Sequence, residues 1–339
     1  MSDDLKNKQF ETKAIHSGII PEDGTGAVTT PIHPSTTYRV KYPGDESGYV
    51  YSRWSNPTRK ALEETLAHIE NGTHGFAYSS GLAALGAVLN LLKPGDHVVT
   101  VDDLYGGTHR LFEKLMKKFQ LEFSYVDGTD SANFKNAVKD NTKLFWIETP
   151  TNPLLKLTDI EEVAKFAKEK NILTAVDNTF ATPYIQKPLE LGADIAMHSA
   201  SKYLGGHCDV IGGALIVNDD SLAEQLHFNQ YAVGGMLGPF ESWLLMRGIK
   251  TLHLRMERHS YNAMKVVEYL ETVSAVDKIY FPGQDGRKVP NKMTMPGGMV
   301  SFTINADFET VKKFCCATKL FILAESLGGV ESLINHPAA

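Results

Sequence analysis

The chain has little cysteine and no disulfide pattern. Of its 339 residues only three are cysteines, and two of these, Cys315 and Cys316, are adjacent. Adjacent cysteines do not provide the spaced pairs of a disulfide framework or of a zinc motif. We therefore expect a chain without a structural metal that works in the reducing cytoplasm.

The sequence also lacks a net positive charge and long apolar runs. Its formal net charge is -6, which argues against nucleic acid or an anionic membrane as a partner. The first residues, M-S-D-D-L-K-N-K, contain no apolar run typical of a secretory signal. The apolar stretch 82–92 is too short to span a bilayer. A globular enzyme acting on small molecules is compatible with all of these absences.

Composition divides the chain into three parts. Residues 1–60 are rich in Gly, Pro, Thr and Ser without a sustained period, which predicts an extended arm. From residue 61, short β-rich runs alternate with amphipathic helical stretches. This alternation predicts an α/β large domain (61–255), with a mostly parallel seven-stranded sheet and helices on both faces. The predicted strands are 75–78, 97–101, 122–126, 144–148, 173–176, 195–198 and 213–217.

The last third of the chain begins with a long helical pattern. It runs from Pro239 to about Glu271 and is interrupted only by Gly248. Residues 256–339 are predicted to comprise the rest of this linking helix and a small C-terminal α+β domain that begins near Val276.

In parallel sheets, ligands bind outside the carboxyl ends of the strands, so residues directly after the strands are candidates. Ser80 and Gly81 follow the first predicted strand and open a helix, whose free N–H groups suit a phosphate. An ordinary strand-to-helix turn is the alternative. The following G-L-A-A-L-G does not have the G-x-G-x-x-G spacing, so a nicotinamide dehydrogenase is not supported.

Two further residues point to pyridoxal phosphate. Asp177 ends an apolar strand within V-D-N-T-F, and Lys202 follows the hydroxyls of Ser199 and Ser201 within H-S-A-S-K-Y. Pyridoxal chemistry requires a lysine amine to form a Schiff base with the aldehyde, and a carboxylate to keep the pyridine nitrogen protonated. Each residue alone has an ordinary explanation, as a turn aspartate or a surface lysine. Together they predict a pyridoxal phosphate site.

A metal is not indicated near this lysine. His198 and His207 flank it, but no carboxylate or cysteine completes a metal-ligand spacing.

Eight long motifs extend over most of the chain. They lie at 51–59 (Y-S-R-W-S-N-P-T-R), 79–84, 102–108 (D-D-L-Y-G-G-T), 148–153 (E-T-P-T-N-P), 176–180, 198–203, 206–213 and 324–332. With these motifs the chain, from about His16 onward, resembles the pyridoxal-phosphate-dependent trans-sulfuration enzymes of cysteine and methionine metabolism. The resemblance implies the fold type I architecture of aspartate aminotransferase.

The resemblance implies a role for each matching residue at the cofactor. Lys202 would hold the cofactor and move protons, Asp177 would pair with the pyridine nitrogen, and Tyr105 would stack on the ring. An aromatic face suits a flat cationic heterocycle, and the phenol could also transfer protons. The phosphate would be bound from one subunit by Ser80, Gly81, Leu82, Ser199 and Ser201.

Other matching residues would reach the site from elsewhere. Tyr51 and Arg53 would reach the phosphate from a neighbouring subunit, with Tyr51 also near the substrate. Such a shared site exists only in an oligomer, and the assembly usual in the family is a homotetramer built from two dimers. Asn152 would lie near the cofactor oxygen and the substrate, with Glu148 supporting it from the same strand end. The substrate mouth would be formed by Glu325 and Ser326.

The family contains three related activities. We expect cystathionine γ-lyase activity, which converts cystathionine to cysteine, 2-oxobutanoate and ammonia. Cystathionine γ-synthase, which joins cysteine to an O-acylhomoserine, and cystathionine β-lyase are the alternatives.

Two features depart from the family pattern. Ser201 stands where most members have threonine, and the hydroxyl is kept. The chain ends at N-H-P-A-A, whereas members continue for some tens of residues that carry the arginine binding the substrate carboxylate. We expect the remaining candidates, Arg247, Arg255 and Arg258, to be structural. The resemblance therefore leaves a different class open, an oligomeric pyridoxal-phosphate-binding protein with impaired catalysis.

Overall fold

The computed structural model describes residue 5 and residues 7–19, 24–45, 47–284 and 289–337. Its helices are α1 (Phe10–His16), α2 (Pro57–Ile69), α3 (Gly81–Leu89), α4 (Gly106–Arg110), α5 (Ser131–Asn136), α6 (Ile160–Glu169), α7 (Thr182–Ile185), α8 (Asp220–Val233), α9 (Pro239–Ile249), α10 (Leu252–Leu270) and α11 (Phe308–Ala317). Its strands are β1 (His74–Tyr78), β2 (His97–Val101), β3 (Glu122–Val126), β4 (Thr142–Glu148), β5 (Leu173–Asp177), β6 (Ile195–Ser199), β7 (Gly213–Val217), β8 (Val276–Tyr280), β9 (Ser301–Ile304), β10 (Ile322–Leu323) and β11 (Leu333–Ile334).

The large sheet has the strand order β1-β7-β6-β5-β4-β2-β3. Strand β7 is antiparallel to both neighbours, and the other pairs are parallel. The predicted mostly parallel seven-stranded sheet is therefore confirmed, with strand ends shifted by at most two residues. The carboxyl ends of β1, β2, β4, β5 and β6 meet at one edge of the sheet.

Alternate side chains of the strands pack into opposite layers, as the pleat requires. On one face Trp146 and Met197 pack with α3 and α8. On the other face Phe145 and Val176 pack with α6, and Ala196 packs with α2 and α9. Helices thus cover both faces of the sheet, as the sequence predicts.

The predicted single linking helix is wrong in one respect, because it is two helices, α9 and α10, that meet at Lys250 and Thr251. The Arg255 guanidinium donates to the carbonyl of Gly248 at 2.8 Å and to that of Tyr203 at 2.7 Å. Gly248 serves close packing, since a Cβ there would lie 2.2 Å from the carbonyl oxygen of Gly205. As expected, Arg255 is structural.

The arm contains a helix that its composition does not reveal. Helix α1 buries Ala14, and the ring of Phe10 lies 5.0 Å from that of Tyr184. Farther along, Thr37 and Tyr51 form an isolated antiparallel bridge. The division of the chain at residues 61 and 256 stays a prediction.

The C-terminal part contains small sheets. Strands β8 and β9 are antiparallel, and β10 and β11 form a parallel pair of two residues each. Across the described ranges, no helix is both long enough and apolar enough to cross a membrane.

Candidate active site

Three neighbouring strands end in polar residues that share one face of the sheet. Glu148 on β4 is in register with Asp177 on β5, and Asp177 is in register with Met197, two residues before Ser199. All of these positions have the parity of the residues that pack toward α3. Glu148, Asp177 and Ser199 therefore lie side by side at the carboxyl edge, on the α3 side.

Asp177 is a buried carboxylate held by its own turn. Its side chain is 8% exposed, and its Oδ1 accepts hydrogen bonds from the amide and the hydroxyl of Thr179, at 3.1 and 2.5 Å. Burial raises the pKa of Asp177, while the Thr179 hydrogen bonds and the nearby His198 oppose that rise. Within the described ranges no lysine or arginine forms an ion pair with it. A buried acid without a cationic partner is suited to a protonated ring nitrogen.

Lys202 follows β6 and lies beside the C-terminal segment. Its Nζ donates to Ser326 Oγ at 2.9 Å. Burial lowers the pKa of Lys202, against the opposing effect of Cys208 and Glu325. A larger fraction of free amine at neutral pH favours attack on a carbonyl carbon.

The start of α3 lies against the end of β6. Ser80 Oγ caps the helix by accepting from the Ala83 amide at 3.0 Å, and the N–H groups of Gly81 and Leu82 have no acceptor in the described part of the chain. A Cβ at Gly81 would lie 3.1 Å from Ser199 Oγ. Glycine therefore allows the helix N-terminus and the Ser199 hydroxyl to converge, as a phosphate site requires.

Ser201 is placed differently from Ser199. Its hydroxyl accepts from the Gly212 amide at 3.0 Å and donates to the Gly212 carbonyl at 3.3 Å. Ser201 thus links the lysine loop to the residue before β7.

Tyr105 and Asn152 lie on two loops joined by Glu148. The Tyr105 amide donates to both carboxylate oxygens of Glu148, at 3.0 and 3.2 Å, and the Asn152 amide donates to Oε1 at 2.8 Å. The Tyr105 side chain is 48% exposed, and its ring lies so close to Gly107 that a Cβ there would be 2.3 Å away. Tyr105 thus packs against Gly107 while about half of the residue stays exposed.

Tyr51 and Arg53 lie apart from this cluster. The Arg53 guanidinium donates to the carbonyl of Tyr231 at the end of α8, at 2.6 Å, and lies 5.6 Å from the centre of the Tyr51 ring. Among the described residues, neither side chain bonds to Gly81, Ser199 or Lys202. Within one chain, Arg53 bonds instead to the backbone at the end of α8.

Glu325 and Ser326 lie on the segment between β10 and β11. Ser326 meets Lys202 directly, whereas the exposed carboxylate of Glu325 accepts a 3.4 Å hydrogen bond from Asn335. Gly328 supports the segment with φ +81, and a Cβ there would lie 2.5 Å from the Tyr203 amide.

Of the two histidines near the lysine, neither joins a metal-ligand cluster in the described ranges. His198 is buried and bonds to Glu70 at 2.9 Å, while His207 contacts the carbonyl of Gly205.

The geometry fits pyridoxal phosphate. A buried lysine whose pKa is lowered, a buried acid without a lysine or arginine partner among the described residues, a helix N-terminus beside a serine hydroxyl and a half-exposed tyrosine meet at one sheet edge. These features define a fold type I pyridoxal-phosphate-dependent enzyme.

The comparison with protein families agrees with this class. Residues 11–339 match the model described as Cys/Met metabolism PLP-dependent enzyme. The chain belongs to this family, and it is a pyridoxal-phosphate-dependent trans-sulfuration enzyme.

Individual relatives carry different activities in their names. The chain is similar to a cystathionine β-lyase of Coxiella burnetii, at 50% identity over 98% of this chain and 88% of the relative. It is similar to a cystathionine γ-lyase of Bacillus subtilis, at 49% identity over 97% of this chain and 87% of the relative. The crystal structure of metB from Corynebacterium glutamicum matches with a TM-score of 0.96 and 46% identity, covering 98% of this chain and 88% of that one.

Sequence reasoning missed several residues around the site. Thr179 could have been found, because a threonine two residues after a strand-end aspartate often closes such a turn. Glu148 was assigned only a supporting role, although its carboxylate binds two loops. The Glu70–His198 pair, 128 residues apart, has no local signal in the sequence.

Proposed function

We propose that this enzyme cleaves cystathionine on the γ side of the sulfur, releasing cysteine, 2-oxobutanoate and ammonia. The observation that carries the lyase chemistry, for γ and β cleavage alike, is Lys202, whose amine bonds to Ser326 at 2.9 Å and whose pKa is lowered by burial. An amine in this state can accept a proton from the substrate carbon and return it to the product.

The cofactor, when bound, supplies an electron sink for the pair left at the substrate α-carbon. Asp177 holds the proton on the ring nitrogen through its buried carboxylate. Ser199, Ser201 and the N–H groups of Gly81 and Leu82 bind the phosphate, with Ser80 capping their helix and the Gly212 contacts of Ser201 fixing the lysine loop. Tyr105 covers the ring and carries a proton toward the leaving sulfur, and Asn152 orients the cofactor oxygen.

Glu325 supports cystathionine as the substrate, because cystathionine carries a second amino-acid group far from the bond that is cleaved. Its exposed carboxylate lies close enough to Lys202 to oppose the lowering of the lysine pKa. A carboxylate at this mouth attracts the ammonium group of the distal half of cystathionine. We propose that Glu325 and Ser326 form the substrate mouth.

A second candidate is cleavage on the β side, which gives homocysteine, pyruvate and ammonia. The identity to a cystathionine β-lyase, 50%, is as high as that to a γ-lyase, 49%. Cystathionine γ-synthase is the further alternative, in which cysteine replaces the acyl group of an activated homoserine.

We propose that Tyr51 and Arg53 complete the phosphate site of a neighbouring subunit in a homotetramer. In the described part of one chain neither side chain bonds to Lys202 or to the phosphate-site residues, which supports a contribution in trans, and the Arg53 fork suits bidentate phosphate binding.

One product analysis separates the candidates. Purified enzyme with added cofactor is given cystathionine, and in a second reaction cysteine with an O-acylhomoserine. Formation of 2-oxobutanoate and cysteine supports γ cleavage, pyruvate with homocysteine supports β cleavage, and cystathionine in the second reaction supports the synthase. Cofactor absorption without any product supports the impaired binding protein.

A further inference from the structure

Glu148 connects the two loops that carry Tyr105 and Asn152. Its side chain is 5% exposed, and its carboxylate accepts three contacts from two backbone amides, at 2.8, 3.0 and 3.2 Å. Within the described ranges no lysine or arginine pairs with it. The carboxylate therefore bonds to backbone rather than to a charged side chain.

We propose that Glu148 is a positioning residue for the reaction, which fixes Tyr105 over the cofactor ring and Asn152 beside it. The inference rests on the proposed roles of these two residues. Glu148 binds the backbone amides of Tyr105 and Asn152. It therefore fixes the point from which each of these residues projects its side chain toward the cofactor.

The geometry requires a carboxylate and not an amide. Oε1 accepts from both amides, and Oε2 accepts from Tyr105. Glutamine has one oxygen and one NH₂ group, so it would direct a donor at a backbone donor. With the amide oxygen in place of Oε1, the Tyr105 amide would face an NH₂ group where it now has an acceptor at 3.0 Å, so the Tyr105 loop would be displaced although the size of the side chain stays the same.

This carboxylate is unfavourable for the stability of the empty protein. Burial, and next the neighbouring Asp177, raise the pKa of Glu148 well above its usual range, and Asp103 acts in the same direction. The folded state therefore holds this proton more tightly than the unfolded state. Stability is lost as pH rises from the usual glutamate range through the raised pKa. A buried carboxylate that lowers the stability of the folded protein is not explained by a role in stability alone.

Glu148→Gln is the decisive variant, and Asp194→Asn, at the opposite edge of the sheet, is its control. Asp194 directly precedes β6, its side chain accepts the Thr174 amide at 2.7 Å, and burial likewise raises its pKa. We expect Glu148→Gln to lower kcat by about 10- to 100-fold. We also expect weaker cofactor binding, measured by absorbance titration, and a thermal midpoint of the cofactor-free protein equal to or above that of wild type. The control should keep the wild-type kcat.

A double variant tests whether the effect passes through Tyr105. In a Tyr105→Ala background, Glu148→Gln should cost much less in kcat, because the residue it positions is gone. If Glu148→Gln does not fold, Glu148→Asp, which keeps both oxygens but shortens the reach, should lower kcat in the same direction.

Two failures are distinguishable. An active wild type with Glu148→Gln kcat equal to that of the control, or with fully additive effects in the double variant, overturns the inference. A wild type that binds cofactor but releases no product overturns the proposed function instead.

Discussion

The two sides of Lys202 are built in different ways. On the cofactor side, Asp177 and Glu148 are buried and each accepts hydrogen bonds from the backbone. On the substrate side, Glu325 is exposed and lies between strands of two residues each. The cofactor side thus belongs to the sheet, whereas the substrate side belongs to a short segment with little regular structure.

Under the proposed function, we expect the sheet residues to fix the chemistry and the short segment to fix which substrate is accepted. Residues fixed by a large sheet are hard to move without unfolding, while a short exposed segment can change with little loss of stability. Relatives of nearly equal identity are named for β and for γ cleavage.

The contrast between the cofactor side and the substrate side depends on Lys202, and it fails if this lysine is dispensable. Lys202→Ala removes the group that holds the cofactor and moves protons, and we expect turnover to fall by about 10²- to 10⁴-fold or more. Loss of the yellow lysine-bound absorption should accompany this fall. Retained absorption together with near wild-type product release would assign the reaction to another residue.

Asp177→Asn tests the buried side. The amide cannot hold a proton on the ring nitrogen, so we expect kcat to fall by about 10²- to 10³-fold. The KM for cystathionine should change much less. The same substitution removes a buried acid whose pKa is raised, so the cofactor-free variant should be at least as stable as wild type at neutral pH. A loss of stability equal to that of a core cavity would contradict this reading.

The pH dependence of stability sharpens the comparison without any substrate. Burial lowers the pKa of Lys202 below 10.5, so the folded state holds its proton less tightly than the unfolded state. Stability then rises as pH increases toward the usual lysine value. Cofactor-free Lys202→Met should be more stable than wild type at neutral pH, with a difference that shrinks near about pH 10. Urea unfolding at both pH values measures it, and a constant difference would argue against a buried amine.

The smallest effect is expected on the substrate side. Glu325→Gln removes an exposed charge, so we expect a higher KM for cystathionine, by less than about tenfold, with cofactor absorption unchanged. Steady-state kinetics at low and high salt provide the measurement, because screening should reduce the wild-type advantage. A large fall in kcat at saturating substrate would place Glu325 in the chemistry itself.

The parts of the fold and of the site that could be predicted are those with a signal in the neighbouring sequence. Asp177 and Ser199 were found because strand-end polar residues follow apolar runs, and the seven strands because their apolar runs are bounded by turns. Helix α1 was missed because Phe10 packs on Tyr184, far away in sequence. The break between α9 and α10 was missed because Arg255 bonds across to Tyr203, a contact without any periodicity.

Gly328 limits any exchange of the segment between β10 and β11. For a protein engineer this segment is a cassette that could be taken from relatives to redirect cleavage. A Cβ at residue 328 would lie 2.5 Å from the Tyr203 amide, next to Lys202. A donor sequence with another residue here would displace the lysine loop, so libraries of such chimaeras should hold this glycine constant while the neighbouring side chains vary.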